Sequence, residues 1–233
     1  MGCYVAGDIF LLDIDRPELR QVVEVTAAHE MLHAAYDRLG TKERQRVDGL
    51  VDQFYRSYRN QQLAGIVKQY QQSEPGQLPN ELHSLLATQV TKLSTELETY
   101  YQRYFSDRQK VVKSFLAYED VFTKINQQRE QLLSEIASLR SQIDALEGQA
   151  EAATIQARQL GQQIEELRRR GEVAESNILV PDQNAAANKA ASLNIQITSL
   201  VREHNRLVDK VNQLAILQND LLESLDSRSF TSS

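Results

Sequence analysis

From Leu132 onward, apolar residues recur at alternating spacings of four and three. They are Leu132, Ile136, Leu139, Ile143, Leu146, Ala150, Ala153, Ala157, Leu160, Ile164 and Leu167. Such a heptad seam specifies one pairing face of a long helix. A second seam follows: Leu193, Ile197, Leu200, His204, Leu207, Val211, Leu214, Gln218, Leu221 and Leu225. Its polar members, His204 and Gln218, set register at some cost in stability. Residues 171–190 separate the seams and carry the helix breakers Gly171, Asn177, Pro181, Asp182 and Asn184. The seams nearly match in length and the break lies midway, so an antiparallel hairpin is expected over residues 107–228, with its tip near 171–190. Each seam would run about 50 Å at the helical rise. Two parallel dimeric coils are the alternative. Ala150, Ala153 and Ala157 would let the arms approach closely. The basic run Arg168-Arg169-Arg170 suits the negative end of a helix dipole.

The pattern before residue 107 is different. Residues 3–14 read as a β-hairpin, with Cys3-Tyr4-Val5 and Ile9-Phe10-Leu11-Leu12 flanking Ala6-Gly7-Asp8. A helix is expected from about residue 17 to 39, with Asp15 as its cap and Gly40 as its stop. Thr41 caps a second helix, which carries Val47, Leu50, Val51 and Phe54 on one face. A third covers residues 63–70. The stretch 73–79, with Pro75, Gly76 and Pro79, breaks the pattern before another helix starts near Asn80. The pairs Tyr100–Tyr104 and Tyr101–Phe105 stand four apart and pack a helix onto the core. The expected fold is mainly α. A small α+β domain over residues 1–106 contains a short β-hairpin, and a long coiled-coil hairpin follows.

Composition narrows the partners. The net charge is −6, which gives a nucleic-acid partner no electrostatic support. No apolar run reaches the roughly 20 residues that span a bilayer, and no basic-then-apolar leader is visible, so a soluble chain is expected. Cys3 is the single cysteine; it forms no internal disulfide and reads by default as a buried thiol. Met1-Gly2 invites a myristoylation reading, disfavoured because the segment runs into a strand.

The candidate chemistry lies in Ala27-Ala28-His29-Glu30-Met31-Leu32-His33-Ala34-Ala35. His29 and His33 share a helical face and can close on one metal ion. Glu30 is turned about 100° from His29, where it can take a proton from a metal-activated water. The neighbours are uncharged, as a buried metal helix requires. An ordinary core helix with two satisfied histidines is the plainer reading. A catalytic zinc needs a third protein ligand and an open position. Glu81, in Asn80-Glu81-Leu82-His83-Ser84 after the Pro-bounded loop, is the first choice, and His83 is the alternative. The two point about 200° apart on a helix and cannot both bind. If Glu81 binds, His83 is a core residue, a hydrogen-bond support for a ligand, or a group that steadies an oxyanion. Two histidines and a glutamate from a later helix make the gluzincin arrangement. The expected function is zinc-dependent hydrolysis of peptide bonds, with Glu30 as general base. The strand Ile9–Leu12 could hold an extended peptide by strand addition.

The segment from Glu24 to Ala34, together with Gly2-Cys3-Tyr4, Glu81-Leu82-His83-Ser84 and Tyr104-Phe105-Ser106-Asp107-Arg108, resembles a group of bacterial proteins with a gluzincin-like site. The resemblance covers roughly residues 1–110. It implies a zincin-like metallopeptidase domain, Zn2+ as cofactor and a peptide or protein substrate. It also implies a location on the outer face of the cytoplasmic membrane, with a membrane anchor and a second cysteine that this chain lacks. Such relatives carry Gly-Thr-Glu where this chain has Ala87-Thr88-Gln89, so an alternative ligand position falls on Gln89. Two other functions fit the same architecture: an inactive zincin-like scaffold, and a coiled-coil interaction protein that recruits a partner or self-associates.

Overall fold

The computed structural model describes residues 1–58 and 60–225, so the expected end of the hairpin at residue 228 lies outside them. The fold is mainly α, as the pattern predicts, with an N-terminal β-hairpin and two long antiparallel helices. Strands β1 (Gly2–Val5) and β2 (Asp8–Leu11) pair antiparallel, with Val5 opposite Asp8. The connection is therefore the two-residue turn Ala6-Gly7, and Asp8 belongs to the strand. Ala6 and Gly7 take φ of 52° and 101°. Positive φ at both centres matches the twist of the strands; glycine adopts it freely, and Ala6 does so against its steric preference. Along β1, Gly2 and Tyr4 are partly covered while Cys3 and Val5 are exposed. Cys3 is thus an exposed thiol, not a buried one. The alternation of a one-sided strand turns it outward.

A 3-10 turn at Pro17–Leu19 leads into α1 (Arg20–Asp37). Pro17 sits at the start of that turn, where its missing N–H costs nothing. Arg16 stands at the cap position and no side chain caps the turn, so Asp15 does not act there. Helix α2 (Thr41–Ser57) buries Val47 and Val51, with Gly40 at its cap position instead of Thr41. Asn60 caps α3 (Gln61–Ser73) by accepting a hydrogen bond from Leu63 N. A second 3-10 turn, Pro75–Gln77, feeds α4 (Leu78–Gln89), buried along nearly its whole length. Ser94 caps α5 (Thr95–Tyr101), whose Tyr100 and Tyr101 are fully buried. Leu32, Val47, Val51, Leu82, Leu86, Leu97 and the two tyrosines form one core, with α4 at its centre.

The long helices are α6 (Arg108–Arg169) and α7 (Val173–Leu225). The chain divides into two compact units, one of Met1–Lys124 with the described residues from Gln218, the other of Ile125–Leu217. In the second unit the helices reverse through a tight turn. Gly171, at φ 79°, lets its N–H reach Arg168 O, while Glu172 N–H reaches Leu167 O at 3.0 Å. This paired closure is the Schellman end that a left-handed glycine allows. The other expected breakers do not break: α7 runs through Pro181. Ser176, Ala186 and Ala190 are buried and continue the four-three spacing of Leu193 backwards. Packing of that face outweighs the exposed proline's lost hydrogen bond. A Cβ on Gly161 would stand 2.7 Å from Gln183 Nε2, which marks a close approach of the two arms. Counting along the seams from that contact sets Ala150–Ala153 level with residues 191–194, beside the buried Ala190 and Leu193. Among the described residues, no helix is long and apolar enough to cross a membrane.

Candidate metal centre

Helices α1 and α4 pack against each other, and their contact builds the site. The α1 repeat puts His29 and His33 one turn apart, with Nε2 atoms 3.0 Å from each other. Pro79 is tolerated in the first turn of α4, and the residues after it project Asn80, Glu81 and Ser84 toward those rings. Glu81 places Oε1 3.5 Å from His29 Nε2 and Oε2 3.5 Å from His33 Nε2. The ligand atoms of His29, His33 and Glu81 all lie within 4.8 Å of one another, and the three residues form a group able to hold a metal ion. Two nitrogens bonded to one tetrahedral zinc stand about 3.3 Å apart, given bonds of about 2.0–2.1 Å. The observed separations bracket that value, so the donor set fits such an ion.

The surroundings orient the donors. His33 Nδ1 lies 2.9 Å from Asn80 Oδ1 and 3.4 Å from Ser84 Oγ. A carboxamide oxygen accepts, so Nδ1 carries a proton and Nε2 is the ring atom turned toward His29 and Glu81. Burial pushes the Glu81 carboxyl upward. The hydrogen bond and charge of His29, the charge of His33 and a hydrogen bond from Tyr70 outweigh that and hold it below its usual value. Burial, then the Glu81 charge, raises the Tyr70 phenol to about 12, so Tyr70 keeps its proton and donates it toward the carboxylate.

Glu30 is buried. It lines two adjoining spaces together with His29 and Glu81. One is a cavity of about 300 Å³ that also touches Gln89. The other is a groove of about 680 Å³ lined by Gly2 to Ala6 of the hairpin, His33 and Tyr70. The strand beside the groove is therefore β1 and not Ile9–Leu12, of which Ile9, Phe10 and Leu11 are exposed.

His83 sits outside the convergent group, in an aromatic cage. The rings of Tyr36, Tyr101 and Tyr100 have centroids 5.4–5.5 Å from it, and its Nε2 shares a 3.0 Å hydrogen bond with Tyr100 OH. Burial, helped by the nearby His33 and His29, pushes its pKa down to about 3, so the ring is neutral. Tyr101 OH donates to His83 O at 2.7 Å. These contacts hold the middle of α4 in place and, through it, Glu81.

Sequence reasoning passes over Asn80, Ser84 and Tyr70. Asn80 and Ser84 flank Glu81 at one and three residues, a spacing that matters only once the phase of α4 against α1 is known. Tyr70 lies in the last turn of α3 and carries no spacing signal.

No family model matches the chain, and neither a curated protein nor a solved structure matches it.

Proposed function

We propose that this protein is a zinc-dependent peptidase whose metal is held by His29, His33 and Glu81. The observation that carries the reading is the convergence of those three side chains within 4.8 Å, with the carboxylate of Glu30 in the wall of the same space. The order of the ligands, two histidines one helical turn apart and a glutamate on a later helix, supports the gluzincin-like assignment, as does the resemblance of residues 1–110 to that group. Gln89 lines the cavity beside the three donors, and this reading takes His29, His33 and Glu81 as the ligand set without it.

Zinc held by His29, His33 and Glu81 would supply the positive charge that acidifies a water molecule and polarises a carbonyl. Glu30 would take a proton from the attacking water and deliver it to the leaving nitrogen. β1, which lines the groove, gives an extended peptide a strand to lie along, which favours peptides over compact small molecules. The α6–α7 hairpin serves as an arm for a substrate or a partner protein.

Glu30→Gln is the test. The variant is expected to keep its zinc and to lose hydrolysis of a mixed peptide pool by a factor of about 10² or more. Equal hydrolysis by the variant and the wild type would refute the role of Glu30; no hydrolysis by the zinc-loaded wild type would refute the peptidase assignment.

A further inference from the structure

We propose that the cavity of about 300 Å³ beside the metal group is a specificity pocket for one bulky apolar side chain, of leucine to phenylalanine size, next to the bond that is cut. The inference rests on the peptidase reading and names the substrate class for the same site.

Beyond the metal group the cavity is lined mostly by apolar residues, Val22, Val25, Leu85, Phe115 and Tyr118 among them, with Thr26 and Gln89 as the polar exceptions. Val22, Val25, Leu85 and Phe115 are each buried, so packing from behind holds the walls in place before any ligand arrives. Its mouth is made by Gly2, His29, Glu30 and Glu81, the same residues that line the groove along β1. A peptide lying in the groove with its carbonyl at the metal group therefore presents a neighbouring side chain to the cavity. The volume is at the low end of small-ligand pockets, which span about 300–1,000 Å³. It admits one large side chain and excludes a second strand or a folded partner. An acidic side chain would be repelled by Glu30 and Glu81 as it passed the mouth. A basic one would shed its hydration against aliphatic walls. An apolar side chain loses only unfavourable contact with water.

The experiment uses the full-length, zinc-loaded protein and three hydroxamates: acetohydroxamate, isocaproyl hydroxamate and hydrocinnamoyl hydroxamate. Binding is measured by titration calorimetry, so the readout does not depend on turnover. Affinity is expected to rise about tenfold or more from the first to the last, the yield of burying one such side chain. In Leu85→Phe, which fills the cavity, the ratio of the last to the first should fall toward one. Gln89→Phe, at a half-buried helix end, fills it from another side and gives a second measurement. Acetohydroxamate binding reports an intact metal group in each variant. A flat series in the wild type, a rise that both variants leave in place, or no binding by any of the three would overturn the pocket. A protein that grades the series but hydrolyses no peptide keeps the pocket and loses the peptidase assignment. One that hydrolyses peptides without regard to side chain does the reverse.

Discussion

The hydrogen bond from His33 Nδ1 to Asn80 Oδ1, at 2.9 Å, decides which of that ring's nitrogens can face a metal. Partners of this kind fix the tautomer and orientation of a ligating histidine, and their loss typically lowers metal affinity about 10–100-fold. Asn80→Ala is expected to fall in that range in a chelator competition titration. An affinity unchanged in Asn80→Ala would contradict the assigned tautomer. His29 and His33 were legible in the sequence because the helical repeat alone brings i and i+4 together. Glu81 was legible at one remove, as a carboxylate placed just after a Pro-bounded break. Asn80, Ser84 and Tyr70 were not, because their role depends on how one helix is rotated against another. Cys3 was misread for a related reason: burial of a strand residue depends on which face the hairpin lays on α1.

Arg108 shows how an element is held for the site. The side chain is 5% exposed, and all five of its N–H donors are used. They reach the carbonyls of Ala87, Val90 and Thr91 and both oxygens of Glu98. The first residue of α6 thus ties the end of α4 to α5. The Arg108 hydrogen bond, aided by the Leu93 N–H and the Arg108 charge, holds the Glu98 carboxyl below its ordinary 4.5 against partial burial. A carboxylate with a depressed folded pKa contributes fully above the unfolded value and loses its contribution as pH falls through the folded one. Wild type should therefore exceed Glu98→Gln in stability at neutral pH, and the gap should close as pH drops below about 4.5 in urea unfolding series. A gap independent of pH would refute the pairing. On α7 the proline tells of a different balance. A proline inside a helix costs about 3 kcal/mol, so Pro181→Ala is expected to raise the thermal unfolding midpoint, with a gain of up to that size. A lowered midpoint would mean that the ring makes contacts that its exposed position does not suggest. The seams themselves were legible because leucine and isoleucine mark them. Their continuation through Ser176, Ala186 and Ala190 was hidden, since small and polar residues carry no hydrophobic signal and the nearby Pro181, Asp182 and Asn184 read as a loop.

At the scale of the whole chain, the mainly α fold, the N-terminal hairpin and the antiparallel long helices follow from period and punctuation alone. The first compact unit, by contrast, also includes the opening turns of α6 and the described residues from Gln218. Heptad spacing marks where helices pair and is silent on where one body of packing stops. The ligands come from one unit only, since His29, His33 and Glu81 all lie within Met1–Lys124. Metal binding is accordingly expected of each chain by itself, at one ion per chain. The most direct test of the account is the zinc content of the full-length protein after loading and gel filtration, measured for wild type, His29→Ala and Glu81→Ala. The account predicts one zinc per wild-type chain and none retained by either variant. Stoichiometric zinc in Glu81→Ala, or none in the wild type, would contradict it.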